Sequence, residues 1–332
     1  MSLKELEGKI LAVDTFNLLY QFLTTIRARD GSAFTDSHGN VTSHLLGVFN
    51  RTTKLMETGI KLIFVFDGQP PAIKQRTREI RAEAKKEAKL KYEEAKEMGD
   101  VESMYKFAGR TIFLNSEMIA DAKRLIEYLG CPIVQAPSEG EAQCAHLVKK
   151  EEADYAVSQD YDSLIFGCPL LVRNLSIEGK RKKAGRFAYQ TVSPEMVSLS
   201  DNLNNLSLDI DQLIVLAILV GTDYNPGGVK GIGPKTGLKL LKEFPHDFDA
   251  VFEKAEWSKH YSDLEWKEIF YTIKKIPVTD DYVLEWKPVD GEKLKEFLVK
   301  EHDFSEERVD AKLKKLIKEK ESKQQSGLGD FF

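Results

Sequence analysis

Three near-continuous apolar runs, KILAVD (residues 9–14), LIFVFD (62–67) and DYAVSQD (154–160), each lead straight into an aspartate. Apolar side chains at successive positions mark strands buried on both faces, the pattern of a parallel sheet covered by helices on its two sides. A further run, CPIVQA (131–136), reads as another strand. Between the strands lie amphipathic stretches such as residues 42–58 and 116–129. The fold this predicts is α/β, with a twisted, mostly parallel central sheet flanked by helices. Ligands of open α/β sheets bind just beyond the carboxyl ends of the strands. Strands that end on aspartates therefore aim several carboxylates into one crevice.

Asp14, Asp67, Asp160 and Asp162 are such strand-end residues. APSEGEAQ (136–143) adds Glu139 and Glu141 after the CPIVQA strand. Ser138 with Glu141 three residues on reads as a capping box opening a helix. That cap accounts for Glu141 and leaves Glu139 unexplained. Asp223, in GTDYN (221–225), follows a long apolar helix. Singly, each of these is an ordinary turn or cap residue. Seven together would repel one another and raise their own pKa values unless cations sat among them. An all-oxygen set without His or Cys selects a hard ion, Mg²⁺ or Mn²⁺. Two such ions about 4 Å apart form the device that hydrolyses phosphodiesters.

The formal charge of −5 over 332 residues argues at first against a nucleic-acid substrate, but the signs segregate. Nine Lys or Arg stand against five Glu between Lys74 and Lys96, and GKRKKAGR (179–186) carries five basic residues and no acid. The tract 74–99 is almost free of large apolar residues, so it is expected to stand off the core as an arch or arm. GVKGIGPK (228–235) lies between two predicted helices. With Lys230 and Lys235 beside Gly231 and Gly233, it reads as a helix-hairpin-helix, whose backbone amides and helix N-terminus hold duplex phosphates without reading bases. Cys131, Cys144 and Cys168 have no CxxC spacing and are expected as core thiols. No apolar run reaches the ~20 residues of a membrane span. An intracellular protein without a membrane partner is expected.

VFDGQPPAIK (65–74), APSEGEAQ, SQDYDSLIFG (158–167) and LVGTDYNPGGVKGIGPK (219–235) resemble the signature blocks of the flap endonucleases, structure-specific 5′ nucleases of replication and repair. TSHLLGVFNRT (42–52) and FSEERV (304–309) extend the resemblance along the chain. It implies a PIN-like 5′ nuclease fold with a helical arch at about 74–116 and the helix-hairpin-helix at about 211–243, within a core spanning 1–245. A mostly helical part, 246–318, and a tail, 319–332, follow. All seven carboxylates match the family's metal positions. Lys74 and Arg81 fall where the family keeps a Lys and an Arg against the scissile phosphate, with Arg78 as the rival for the second place. Tyr20 matches an aromatic that stacks a base near the cut. Arg27, Thr42 and Arg51 match contacts to DNA beyond the junction, and the hairpin matches a K⁺ seat. QSGLGDFF resembles the motif that docks on the sliding clamp PCNA, with Gln325 in a polar pocket and Leu328, Phe331 and Phe332 as an apolar plug.

The function so implied is Mg²⁺-dependent removal of 5′ flaps from branched DNA, with 5′ exonuclease activity, in Okazaki fragment maturation and long-patch base excision repair. The enzyme would act as a monomer, in the cytoplasm and nucleoid of an archaeon or the nucleus of a eukaryote. A related 5′ exonuclease or excision nuclease, or an inactive clamp-tethered DNA-binding module, remains as an alternative. One departure bears on activity. Family members carry Met-Gly-Val and about a dozen further residues before the segment matching LEGKILAVD, where this sequence reads MSLKELEGK. Lower activity and looser placement of the junction are expected from that difference.

Overall fold

The computed structural model describes residues 1–28, 31–108, 111, 113–175, 179–182 and 189–316. The apolar runs form the strands β1 (Ile10–Asp14), β2 (Lys61–Phe66), β3 (Ile133–Gln135), β4 (Tyr155–Val157) and β5 (Leu170–Arg173). An antiparallel pair, β6 (Gly179–Lys182) and β7 (Tyr189–Val192), lies apart from them, and β8 (Glu195–Ser198) returns to the main sheet. The order is β3-β2-β1-β4-β5-β8, parallel throughout except for β8 against β5. The chain builds outward from β1 first to β2 and β3, then crosses to β4 on the other side. β1 and β4 thus flank a topological switch point, where the carboxyl ends of an open sheet form a crevice.

Successive strand residues enter different cores, as the strand period of two requires. Ile63 and Val65 of β2 join one hydrophobic cluster, and Leu62, Phe64 and Phe66 join the other. The second cluster is closed by α1 (Thr15–Thr25), α2 (Ser43–Glu57) and, beyond an excursion made of α3 (Gln75–Glu97) and α4 (Val101–Ala108), by α5 (Ser116–Tyr128). The first is closed by α6 (Gly140–Lys149), α7 (Asp162–Ile165), α8 (Leu199–Leu206), α9 (Ile210–Val220), α10 (Pro234–Glu243), α11 (Phe248–Lys254), α12 (Trp257–His260) and α13 (Trp266–Lys274). Then α14 (Gly291–Lys295) and a last helix over residues 306–316 bring Leu294, Val309 and Leu313 back to the α1–α2 side. The three cysteines are buried and free, as expected of core thiols.

The excursion behaves as its composition predicts. At 23 residues α3 is about 35 Å long, and it belongs to neither core cluster. Its buried apolar residues are the small Ala88 and Ala95, and it packs along α4. Among the described residues no single helix is long and apolar enough to cross a membrane. Together α8 and α9 would be, but they meet at 79°, and α9 is largely buried in the core.

Candidate active site

Strand ends and one helical turn deliver the carboxylates. Asp14 closes β1 and caps α1: its Oδ1 accepts from the Asn17 amide at 3.1 Å and its Oδ2 from Ser158 Oγ at 3.2 Å. Asp67 follows β2 and accepts at 2.8 Å from the amide of Gly140, the first residue of α6. A Cβ at position 140 would lie 2.5 Å from that oxygen, so glycine alone lets helix and carboxylate close up. Glu139 and Glu141 flank it. The capping box expected of Ser138 and Glu141 does not form, because Glu139 holds the N-cap position, and its own side chain makes no cap hydrogen bond. Asp67 takes the Gly140 amide instead, while Ser138 is buried. Asp160 and Asp162 follow β4, and Asp223 follows α9. All seven line one cleft of about 520 Å³, together with Tyr20, Lys74 and Arg81.

Crowding in a partly dry cleft raises the acids. Burial, then the neighbouring Asp67, pushes Asp14 up to about 7. At Asp67 burial outweighs the Gly140 hydrogen bond and, with Glu139, brings the carboxyl to about 6. Burial and then Asp223 bring Asp162 to about 6. Glu141 stands well above the ordinary glutamate value through burial, then Asp14 and Asp162. The cleft is short of positive charge.

Two cations at the foot of the arch supply part of it. Lys74 Nζ lies 2.5 Å from Glu139 Oε2 and 3.4 Å from Asp223 Oδ2, above the Tyr224 ring. Burial would lower its pKa, but Glu139, then Glu141 and Asp223, hold it above the usual lysine value. Arg81 meets Asp223 Oδ1 at 2.5 Å, whereas Arg78 is exposed and does not line the cleft. Thr77 Oγ1 donates to the Asp223 carbonyl at 2.5 Å, tying α3 to the turn after α9. Tyr20 stands at the rim, 37% exposed, with the Lys85 ammonium of the arch 5.3 Å from its ring centre.

These residues fit a hard divalent cation. The donors are all oxygens, and Glu139 Oε1 is buried without a hydrogen-bond partner. Among the described residues no three acidic, His or Cys side chains close into a ligand cage.

Residues 1–88 match the XPG N-terminal domain and residues 130–223 the XPG I-region. Those two segments carry all seven carboxylates, Lys74 and Arg81. Over 336 aligned residues the chain is 49% identical to flap endonuclease 1 of Pyrococcus abyssi, covering 100% of this chain and 95% of that one. The chain belongs to the flap endonuclease family. Among solved structures, flap endonuclease-1 from Methanococcus jannaschii is 40% identical with a TM-score of 0.74, covering 97% of this chain and 96% of the other. The catalytic core of Rad2 in complex with DNA substrate is 25% identical with a TM-score of 0.68, covering 95% of each. Like its family, the protein is a metal-dependent nuclease, a phosphodiesterase.

The turn expected as a helix-hairpin-helix follows directly on that cleft. Lys230, Gly231, Gly233 and Lys235 are exposed in and beside the turn joining α9 to α10. Gly231 holds φ +88°, Gly233 is the N-cap of α10, and Pro234 occupies its first turn. Asn225 braces the segment that carries Asp223: its Nδ2 donates to the Ile218 carbonyl at 2.7 Å and its Oδ1 accepts from Thr222 Oγ1 at 2.6 Å. Arg27, Thr42 and Arg51 are not brought to the carboxylates. Arg27 bonds the Gly31 and Thr24 carbonyls at 2.5 and 3.1 Å, Thr42 is buried ahead of α2, and Arg51 is half-buried on α2. Gln325, Leu328, Phe331 and Phe332 lie outside the described residues.

Asn17 and Arg173 line the cleft without a signal strong enough to single them out in the sequence. Asn17 joins β1 to β4: beyond its amide bond to Asp14, its Nδ2 donates to Asp160 Oδ2 at 2.5 Å and its Oδ1 accepts from the Gln159 amide at 3.1 Å. Its position three residues after a capping Asp is the available hint. Arg173 ends β5, with its guanidinium 3.9 Å from the Tyr161 ring centre, and it donates to the Tyr161 hydroxyl and to the Gln159 carbonyl. A strand ending on Arg gives no address without the sheet order.

Proposed function

We propose that the protein is a structure-specific 5′ nuclease that removes 5′ flaps from branched DNA near the single-to-double-strand junction, with 5′ exonuclease activity, in replication and repair inside the cell. One observation carries this reading: seven carboxylates, Lys74, Arg81 and Tyr20 share a single cleft at the carboxyl edge of the sheet, at the foot of a basic helical arch. The ions are Mg²⁺, with Mn²⁺ as a substitute. Asp14, Asp67, Glu139, Glu141, Asp160, Asp162 and Asp223 would hold them, and when bound they supply activation of water and stabilisation of the leaving oxygen.

The chain's own part is positioning and charge. Lys74 and Arg81 offer ammonium and guanidinium groups to the phosphoryl oxygens as charge develops on them. Tyr20 offers a ring face to a base at the junction. The Lys- and Arg-rich arch attracts the single strand, and the hairpin amides with Lys230 and Lys235 hold duplex phosphates, assisted by K⁺ in the turn. The sequence QSGLGDFF supports tethering of the monomer to PCNA.

The test uses labelled double-flap DNA and a blunt duplex of the same sequence, with Mg²⁺ or EDTA, for the natural protein and Asp160→Ala. Cleavage at the flap junction that requires Mg²⁺ and falls by about 10²–10³-fold in the variant is expected. Tight binding without cleavage in any divalent metal would overturn the reading.

A further inference from the structure

We propose that a groove on the far side of the active-site wall carries the single-stranded arm of the branched nucleic acid; the proposal rests on the nuclease reading above. Two loops, residues 67–74 and 137–141, form that wall. Asp67, Lys74, Glu139 and Glu141 line the cleft, while Gln69, Pro71 and Ser138, from the same two loops, line a groove of about 570 Å³. The wall is tight. Gly68 N donates to the Ser138 carbonyl at 2.7 Å and Gln69 N to the Pro137 carbonyl at 3.1 Å, and a Cβ on Gly68 would come within 2.2 Å of the Ala136 carbonyl oxygen. The cleft and the groove are thus backed by the same two loops.

The opposite side of the groove is the end of α13. Tyr271 is 51% exposed there, with the Lys275 ammonium 5.1 Å from its ring centre, beside Ile276 and Pro277. Lys267 stands on the rim, its ammonium shared with Asp249 at 2.7 Å, and Glu268 is the acidic side chain among the lining residues. An exposed ring with one ammonium at its face and a second lysine on the rim of an open groove is the composition of a single-strand track. Bases stack on the ring whatever their identity, and the cations attend the phosphates. The shared loops set the groove beside the cleft, and that proximity favours a nucleic-acid arm over a protein ligand.

The experiment measures binding in EDTA by fluorescence anisotropy, so a failure of cleavage does not enter it. Two substrates share their duplexes and differ in the 5′ flap, one nucleotide against about 15. Tyr271→Ala and Lys275→Glu should each weaken binding of the long flap by about fivefold or more, while Tyr271→Phe keeps it. The one-nucleotide flap should stay within about twofold, and Lys275→Glu should lower the salt slope for the long flap by about one. Equal weakening on both substrates would overturn the proposal by placing the effect on the fold or the duplex site. No weakening on either would overturn it by assigning the groove to another partner. If neither flap substrate binds better than a linear duplex, the flap reading fails first and takes this proposal with it.

Discussion

Asp14 stands at the end of a strand whose residues Leu11, Ala12 and Val13 are buried in two cores, and hydrogen bonds from Asn17 and Ser158 fix its carboxylate. Over 23 residues, α3 of the arch buries only Thr77, Ala88 and Ala95 among its described side chains. Groups that act on reacting atoms need placement to fractions of an ångström, which packed strands with satisfied polar partners provide. A segment that embraces a flexible polymer needs reach and charge, and elements with few buried apolar contacts open at low free-energy cost. On the proposed reading the chemistry is thus mounted on the core and the grip on an arm.

The largest difference between the two regions should appear in stability. Phe64, fully buried in β2, should cost about 3–5 kcal/mol on replacement by Ala. Leu90, 67% exposed on the arch, should change stability by less than about 0.5 kcal/mol. Denaturant unfolding of Phe64→Ala and Leu90→Ala checks both, and comparable losses would mean that the arch is part of the core. The next contrast is kinetic. Lys74→Ala should lower kcat by about 10²–10³-fold with little change in DNA affinity. Lys89→Ala, on the exposed run of the arch, should act on KM alone and fade as salt rises.

Much of the cleft is legible in the sequence because most of its acids follow directly on apolar runs. Sequence adjacency and spatial adjacency coincide at the end of a buried strand. Where they part, the local pattern misleads. Ser138 has the local signature of a cap, but the competing acceptor for the Gly140 amide comes from Asp67, on the neighbouring strand. Asn17 and Arg173 reach the site only because β1, β4 and β5 are neighbours in the sheet, a fact that no local pattern encodes. The choice between Arg78 and Arg81 turns on helix phase at the foot of the arch, which the Thr77 contact to the Asp223 carbonyl sets.

The raised acids allow the cleft to be tested without substrate. Between the ordinary carboxylate range and about 6–7, the folded protein holds protons on Asp14, Asp67 and Asp162 that the unfolded chain has already released. Stability without metal is therefore greatest at the acidic end of that window and falls as pH rises through it. A divalent cation held by the deprotonated cluster would oppose the fall. Melting in EDTA should drop from about pH 5 to about pH 7.5, and Mg²⁺ should restore Tm at the upper pH with little effect at the lower. Superimposable EDTA and Mg²⁺ curves at both pH values would mean that the cluster holds no ion.

The smallest expected effect isolates the hairpin from both cleft and arch. Lys230 is exposed in the turn before α10, and on the proposed reading it offers a single ammonium to a duplex phosphate. Such a contact carries no sequence or junction information. Lys230→Ala should therefore weaken flap DNA and plain duplex alike by a few-fold, reduce the salt slope by about one, and leave kcat at saturating DNA unchanged. The discriminating comparison is with Lys74→Ala, whose loss should persist at saturation because it acts after binding. If Lys230→Ala also lowered kcat, the turn would be setting the position of Asp223, seven residues earlier and braced through Asn225, and grip and chemistry would be coupled through that one segment.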